Sequence, residues 1–353
     1  MARDEVTVKA VTFQDIGQMR VTDVPEPSLE TQSDAIVKVT CCAICGSDLH
    51  LYHGDIPMMP GDTCGHEFTG VIVDSGSSVT SFKRGDRVVG TFHTACGACR
   101  ACRRGEFHLC DSSAVYGYGP IYGSLNGTQA EYARIPMAEV NLRLIPDGLE
   151  DEQALFAGDI LTTAYGAVKN ANVTAGDTVA VIGCGPVGIM AVQSALACGA
   201  TRVLAIDLVS ERVQLAVSVG AIGIDSSQTD AVGAIMRLTD GEGADAVIEA
   251  VGGTRTLLLA FELVRPGGRI AAVGITAAQT FEYPLTQALT KDVTFRMGLA
   301  NIHRDIDEVL QLIASGKINP SIVISHRLAL EEAALGYELF DSRVASKVLL
   351  MPS

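Results

Sequence analysis

The sequence predicts a two-domain α/β protein in which a doubly wound parallel sheet is joined to a β-rich domain. From Thr178 onward, a continuous apolar strand at 179–182 precedes a helix at 186–197 and a second strand at 203–206. Uninterrupted apolar strands that alternate with helices are typical of a parallel sheet covered on both faces. Before that point, short β-branched segments are separated by Gly, Asp, Ser and Pro, as in a β-rich domain. The length of 353 residues also suggests about two domains.

These patterns divide the chain into three stretches. We expect residues 1–158 and 297–353 to form the β-rich domain, and residues 159–296 to form the sheet-and-helix domain. Apolar runs predict early strands at 35–40, 70–73 and 87–90, and later ones at 246–248, 270–273, 293–295 and 347–351. A helical pattern covers 306–314. We expect His303 and His326 to lie at the surface.

Charge and composition exclude several classes of protein. A net charge of −15 repels phosphate backbones, so nucleic acid is not expected as a partner. The longest weakly apolar stretch, 186–201, is interrupted by polar residues and glycines, so no membrane span is expected. The first residues lack the apolar segment of a secretory signal, which makes a cytoplasmic location the default expectation.

Four of the ten cysteines fall within 15 positions, as Cys96, Cys99, Cys102 and Cys110. In a large chain without a secretion signal, such spacing indicates a metal site rather than disulfides. Four thiolates complete a closed tetrahedron around zinc and leave no position for substrate, so we interpret the site as structural. An iron–sulfur site or unligated cysteines are the alternatives.

A glycine-rich turn, Gly183-Cys-Gly185-Pro186-Val187-Gly188, follows the predicted strand at 179–182 and opens the next helix. In a dinucleotide-binding (Rossmann) turn, the first glycine permits the tight turn and the second lets the backbone approach the pyrophosphate. The third lets the helix pack on the strand. The unpaired amides at the helix start then face the phosphates.

Asp207 ends the next strand, 19 positions after Gly188. A carboxylate there accepts hydrogen bonds from the adenosine ribose hydroxyls and repels a 2′-phosphate. No Arg or Lys occurs at 208–211, and Arg212 can reach the ribose edge. The sequence therefore favours NAD over NADP, although a helix N-cap is the alternative role for Asp207.

A second metal site is suggested by one thiolate and one imidazole, Cys45 and His66, which lie 21 positions apart. A catalytic zinc needs three protein ligands and an open position, so a third ligand must come from elsewhere. By itself, such a pair is a coincidence more often than a site.

The motifs together resemble a zinc-dependent member of the medium-chain dehydrogenase/reductase superfamily, of the alcohol dehydrogenase type. The match covers nearly the whole chain. It rests on Cys-Gly-Ser-Asp-x-His from Cys45, Gly-His-Glu from Gly65, Gly-Asp-Arg-Val from Gly85, the four cysteines, the glycine-rich turn and a final Lys-Val-Leu-Leu strand. The resemblance implies a GroES-like catalytic domain and a Rossmann domain, two zinc ions per chain, NAD, and a homodimer or homotetramer.

The resemblance also implies roles for individual residues. Cys45 and His66 match catalytic zinc ligands, and Asp159 fits the variable third ligand. A helix N-cap is the alternative role for Asp159, and Glu67 is the rival ligand. The other implied roles are a carboxylate close to the metal (Glu67), a residue that orients the ligating histidine (Asp48), a proton relay to solvent (Ser47 and His50), and contacts with the cofactor phosphates (Lys347). We further expect cofactor contacts from Val251, Val273, Gly274 and Ile275.

The resemblance implies hydride transfer between NAD(H) and a small alcohol or carbonyl compound held on zinc. A polyol or amino-alcohol dehydrogenase with the same zinc is the alternative enzyme. A cofactor-binding protein that keeps only the scaffold is the non-enzymatic alternative, and the intact set of ligand and relay residues counts against it.

Overall fold

The computed structural model describes residues 6–275 and 278–353. Its strands are, in chain order, β1 (Thr7–Asp15), β2 (Gln18–Pro25), β3 (Ala35–Ile44), β4 (Glu67–Ser75), β5 (Arg87–Gly90), β6 (Tyr132–Ile135), β7 (Leu142–Leu144), β8 (Thr178–Ile182), β9 (Arg202–Asp207), β10 (Ile222–Asp225), β11 (Ala244–Glu249), β12 (Val264–Ala272), β13 (Thr294–Met297), β14 (His326–Ala329) and β15 (Val348–Met351).

The α-helices are α1 (Asp48–Tyr52), α2 (Arg100–Arg103), α3 (Ala138–Asn141), α4 (Asp151–Ala154), α5 (Ile160–Asn170), α6 (Pro186–Ala197), α7 (Ser210–Ser218), α8 (Ala231–Leu238), α9 (Thr254–Leu263), α10 (Leu285–Lys291), α11 (Ile302–Ala314) and α12 (Ala333–Asp341). Short 3-10 helices lie at Phe107–Leu109, Pro120–Tyr122, Leu155–Gly158, Pro320–Val323 and Leu330–Glu332. Among these described helices, none is long and apolar enough to cross a membrane.

The chain forms two compact units. The first comprises Met1–Asp159, Asn301–Ser315 and Pro320–Ser353, and the second comprises Ile160–Ala300 and Gly316–Asn319. The boundaries expected from the sequence lie one and four residues earlier, and the sequence did not indicate the short return of 316–319 to the second unit. The two units correspond to the two predicted kinds of fold, so the predicted fold class is confirmed.

The first unit is built on a largely antiparallel sheet, in which the described strands follow the order β14-β15-β3-β4-β5-β7 and β6 pairs with β3. The central pair places Ala43 of β3 opposite Glu67 of β4, and β15 places Leu349 opposite Ala43. Cys45, His66 and Lys347 lie at the ends of these three strands. The sheet therefore brings residues from three distant parts of the sequence to one edge.

The second unit is a parallel sheet with the order β10-β9-β8-β11-β12-β13 among the described strands. All residues of β8 are buried, which agrees with the unbroken apolar run at 179–182. The order reverses beside β8, because β9 lies on one side of it and β11 on the other. In sheets of this kind, ligands bind beyond the carboxyl ends of the strands at such a reversal.

Local patterns located most elements to within a few residues. Helix α6 and strand β5 have the predicted bounds, whereas β3, β4 and β11 are longer than predicted. Val273 lies just after β12 rather than inside it, and Lys347 just before β15. The expectation that His303 lies at the surface is wrong, because its ring is packed against Phe107 and only 4% of the residue is exposed.

Candidate active site and metal centres

Four potential metal ligands converge at the sheet edge of the first unit. Cys45, His66, Glu67 and Asp159 are buried, and each offers a ligand atom within 4.8 Å of those of the others. His66 Nε2 lies 3.3 Å from Asp159 Oδ2, which in turn lies 3.7 Å from Cys45 Sγ. Asp159 follows a buried 3-10 helix whose last residue, Gly158, accepts a hydrogen bond from the N–H of Phe92. This bond ties the Asp159 segment to the chain just after β5.

Asp48 holds both of the sequence-predicted ligands in place. Its Oδ2 accepts a hydrogen bond from the Cys45 backbone N–H at 3.0 Å, and its Oδ1 lies 3.3 Å from His66 Nδ1. Gln129 donates to Oδ2 at 3.3 Å and accepts from the hydroxyl of Tyr337. A carboxylate beside Nδ1 orients the ring so that Nε2 points toward the remaining ligands.

Lys347 lies beside the ligand cluster and forms a buried ion pair there. Its ammonium lies 2.5 Å from Glu67 Oε2, and both residues are buried, with 1% and 0% of their side chains exposed. The contact with the cofactor phosphates that the resemblance implies stays a prediction, and in the chain itself Lys347 is paired with Glu67. The reason is the alignment of β15 beside β3, which carries Lys347 to the ligand cluster.

The donor set fits zinc, because thiolate, imidazole and carboxylate are its usual protein ligands. The two buried carboxyls differ in their electrostatics. Burial raises the pKa of Glu67, and Lys347 offsets this only in part. For Asp159, contacts with His66 outweigh burial and lower the pKa. Geometry separates them further, because Asp159 Oδ2 lies near both Cys45 Sγ and His66 Nε2, whereas Glu67 is paired with Lys347.

The predicted relay residues lie on and just before α1. Ser47 Oγ is 3.3 Å from His66 Nε2, next to the predicted ligand atom. His50 lies three residues further on, with 25% of its side chain exposed and Nδ1 3.1 Å from Asp55 Oδ2. A hydroxyl near the ligand cluster, followed by a partly exposed imidazole on the adjoining short helix, suits proton transfer toward solvent.

Two aromatic residues beside His66 were missed at the sequence level. The rings of Phe92 and Tyr118 approach the imidazole edge-on, with centroids at 6.2 and 5.6 Å. The Tyr118 hydroxyl also donates to the backbone carbonyl of Ser47 at 2.8 Å. Phe92 lies two residues beyond the end of β5. Its position just after a predicted strand was the sequence feature that could have indicated a site residue.

The four predicted structural ligands form a second cluster, with one atom each from Cys96, Cys99, Cys102 and Cys110 within 4.8 Å. Backbone N–H groups point at the sulfurs, as from Cys99 to Cys96 Sγ at 3.3 Å and from Cys102 to Cys99 Sγ at 3.4 Å. Such bonds lower the pKa of Cys99 to about 6, whereas burial raises that of Cys102 to about 12. A cluster of four sulfur ligands suits a structural zinc whose coordination is complete without substrate or water.

The glycine-rich turn of the second unit has the geometry that its sequence predicts. Gly183 has a φ of +92°, and a Cβ on Gly188 would meet the Gly183 carbonyl oxygen at 1.7 Å. A Cβ on Gly185 would meet nothing within 4 Å, which leaves the space that an approaching phosphate requires. Pro186 opens α6, followed by Val187, and no side chain caps the helix start. Its unpaired amides therefore suit an anion.

Asp207 lies beside this turn. Its Oδ2 accepts a hydrogen bond from the Cys184 N–H at 2.7 Å, and its Oδ1 accepts from Val209 at 2.9 Å. Because the N-cap position of α7 belongs to Val209, Asp207 is not the helix cap. Burial and the charge of Asp207 raise the pKa of Cys184 to about 12, opposed by the charge of Arg212.

The remaining predicted cofactor residues lie beyond the ends of β11 and β12. Val251 and Ile275 are each 49% exposed. Val273 and Gly274 donate hydrogen bonds to the carbonyl of Glu249 at 2.9 and 3.3 Å. The two loops therefore adjoin each other at the carboxyl edge of the sheet.

Comparison with known proteins agrees with these features. Residues 31–147 match the model of the alcohol dehydrogenase GroES-like domain, and residues 186–315 match that of zinc-binding dehydrogenases. A zinc-type alcohol dehydrogenase-like protein of Bacillus subtilis (strain 168) is 39% identical over 98% of this chain and 100% of its own length. An alcohol dehydrogenase of Cupriavidus necator (strain H16) is 33% identical, over 95% of this chain and 96% of its own.

Among solved structures, the alcohol dehydrogenase TADH from Thermus sp. ATN1 is 51% identical, with a TM-score of 0.96 over 98% of this chain and 100% of that one. The apo zinc-dependent alcohol dehydrogenase 2 from Streptococcus pneumonia is 32% identical, with a TM-score of 0.88 over 98% and 99%. With both ligand clusters in place, the chain belongs to the zinc-containing medium-chain alcohol dehydrogenases, a family of oxidoreductases.

Proposed function

We propose that this enzyme transfers a hydride between NAD(H) and a small alcohol or carbonyl compound, using one catalytic and one structural zinc per chain. The observation that carries the proposal is the buried cluster of Cys45, His66, Asp159 and Glu67. With both groups bound, the metal supplies a Lewis acid for the substrate oxygen, and the nicotinamide supplies the hydride acceptor.

The chain's own residues would orient the ligands and move the proton. Asp48 fixes the backbone of Cys45 and the ring of His66. Ser47 would accept the proton of the substrate hydroxyl while it releases its own toward His50, because its Oγ lies next to His66 Nε2. His50 would pass the proton to water, since its ring is partly exposed and anchored by Asp55.

The aromatic surroundings favour an alcohol with a hydrocarbon substituent. The Phe92 and Tyr118 rings stand beside His66 and present apolar surface on that side of the ligand cluster. A polyol or amino alcohol remains the second candidate, because an L-threonine 3-dehydrogenase of Bacillus licheniformis is 33% identical over 93% of this chain. A panel of primary, secondary, polyol, amino-alcohol and aldehyde substrates, followed by NADH absorbance, separates the two.

For the cofactor, Asp207 beside the glycine-rich turn supports NAD. Related structures carry either form, since a dehydrogenase from Sinorhizobium meliloti is bound to NADP and an Escherichia coli relative is complexed with NADH. The lack of a basic residue at 208–211 decides our proposal, because nothing directly after Asp207 would balance a 2′-phosphate.

Asp159 as the third zinc ligand is tested by substitution. We expect Asp159→Asn or Asp159→Ala to lose the catalytic zinc and turnover, and Asp159→Cys to regain some metal, because thiolate also suits zinc. Asp74→Asn, in an exposed strand end of the same unit, is the matched control and should keep both. A fully metallated, fully active Asp159→Ala enzyme would exclude the assignment.

We further propose that the chain self-associates through the edge of the second unit. Strand β13 lies at the end of the described sheet, so one side of its backbone has no strand partner. Large apolar side chains are exposed near it, namely Leu285, Leu289, Met297 and Leu299. An apolar sheet edge of this kind favours pairing with a second copy of itself.

A further inference from the structure

Glu249, which the catalytic chemistry does not use, is completely buried at the end of β11. Its Oε1 accepts three hydrogen bonds, from the backbone N–H of Val251 and of Gly252, both at 2.9 Å, and from the Thr256 hydroxyl at 2.8 Å. Its Oε2 is also buried and has no hydrogen-bond partner among the described residues. A carboxylate kept from water depends on such donors, so the loop and the side chain fix each other.

The backbone of the same residue holds the neighbouring loop. The carbonyl oxygen of Glu249 accepts from the N–H of Val273 at 2.9 Å and of Gly274 at 3.3 Å. The two loops also touch directly, because a Cβ on Gly252 would meet the Ile275 carbonyl oxygen at 2.1 Å. One residue thus bonds to both loops beyond β11 and β12.

These loops lie on the opposite side of the glycine-rich turn from Asp207. In the sheet, β9 with Asp207 flanks β8 on one side, and β11 with Glu249 flanks it on the other. A doubly wound sheet binds the two halves of a dinucleotide on either side of its reversal point. If the adenosine half binds on the Asp207 side, the nicotinamide half lies beside the loops to which Glu249 is hydrogen-bonded.

We propose that Glu249 is a positioning residue for the nicotinamide half of the cofactor. It acts through the backbone of Val251 and Gly252, which it holds in the bound arrangement before the cofactor arrives. The proposal rests on the proposed use of a nicotinamide dinucleotide. If this loop is no longer held, cofactor binding must also order it. The entropy lost in ordering raises Kd by about tenfold for each backbone residue that has become free.

The test compares two ligands that share the adenosine half. Titrations of Glu249→Ala with NADH and with AMP are followed by calorimetry, with Glu242→Gln, an exposed carboxylate of the same unit, as the control. We expect the Kd for NADH to rise about tenfold or more while the Kd for AMP stays unchanged. Hydrogen exchange should show faster exchange at the amides of Val251 and Gly252 and no change in β8.

A milder variant keeps the test informative if Glu249→Ala does not fold. Thr256→Val removes one of the three donors and should weaken NADH binding in the same selective way, by a smaller factor. Equal losses for NADH and AMP, or no loss for NADH, would overturn the proposal. Failure of the unaltered protein to bind NADH at all would instead contradict the proposed function.

Discussion

His303 is expected to make the enzyme sensitive to mild acid. The residue lies on α11 with Nε2 2.8 Å from Asn141 Oδ1, and its ring packs against Phe107 and His93 at centroid distances of 5.2 and 4.8 Å. Burial, followed by the charges of His93 and Arg143, lowers the pKa of His303 to about 2. In the unfolded chain, a histidine has a pKa of about 6.5.

The sign of the effect follows from proton binding. Below about pH 6.5 the unfolded state takes up a proton that the folded state does not, so the free energy of unfolding falls as the pH falls and is constant above that value. Between about pH 7.5 and about pH 5.5 the loss is about 1.4 kcal/mol. For a unit of about 200 residues, this lowers Tm by about 3–6 °C.

The assay is calorimetric melting of zinc-saturated enzyme at the two pH values. His303→Gln keeps a side-chain N–H donor for Asn141 but does not titrate. Between the two pH values, its Tm should therefore fall by about 3–6 °C less than the Tm of the unaltered enzyme. His326→Gln, at a partly exposed histidine bonded to Ser325, should keep the original pH dependence. Because all three proteins carry the same metal sites, acid loss of zinc cancels in the comparison. An unchanged pH dependence in His303→Gln would refute the reasoning.

Three further predictions concern metal, cofactor and assembly. Metal analysis should find two zinc ions per chain, and one zinc in fully metallated protein would contradict this. Mild chelation should abolish activity before the fold is lost, because the proposed catalytic site has an open position and the four-cysteine site is closed. In kcat/KM, NAD should be preferred over NADP by about a hundredfold, and Asp207→Ala should narrow the difference; equal values for the unaltered enzyme would exclude the assignment. Light scattering should show a dimer or tetramer. Leu289, which is 82% exposed in the single chain, should favour association, so Leu289→Glu should shift the distribution toward smaller species. A monomeric unaltered protein would rule out the sheet-edge interface.

Much of the fold could be predicted because its signals are local. A glycine-rich turn followed by Pro186 located the start of α6. An unbroken apolar run located β8, the strand before that turn. The ligand pair Cys45 and His66 became recognisable only through the surrounding motifs, since the two residues are brought together by the pairing of β3 with β4.

What the sequence could not supply was the environment of single polar residues. Lys347 reads as a charged residue before a strand, yet it is buried because β15 pairs with β3 some 300 positions away in the chain. His303 reads as a polar residue at a helix start, yet it is enclosed by Phe107, His93 and Asn141. Both environments come from tertiary packing, which overrides local character and makes the surface expectation for His303 wrong.

In both units, a buried carboxylate accepts hydrogen bonds from the backbone of residues for which we propose a functional role. Asp48 accepts from the backbone of Cys45 and orients His66, and Glu249 accepts from Val251 and Gly252. Each carboxylate is completely buried, and each lies within a few residues of a strand end. A carboxylate can hold several N–H groups at once, and burial makes each of those bonds costly to break. These bonds therefore help to hold the ligands and loops at the strand ends in place, and removing either carboxylate is expected to disturb geometry rather than chemistry.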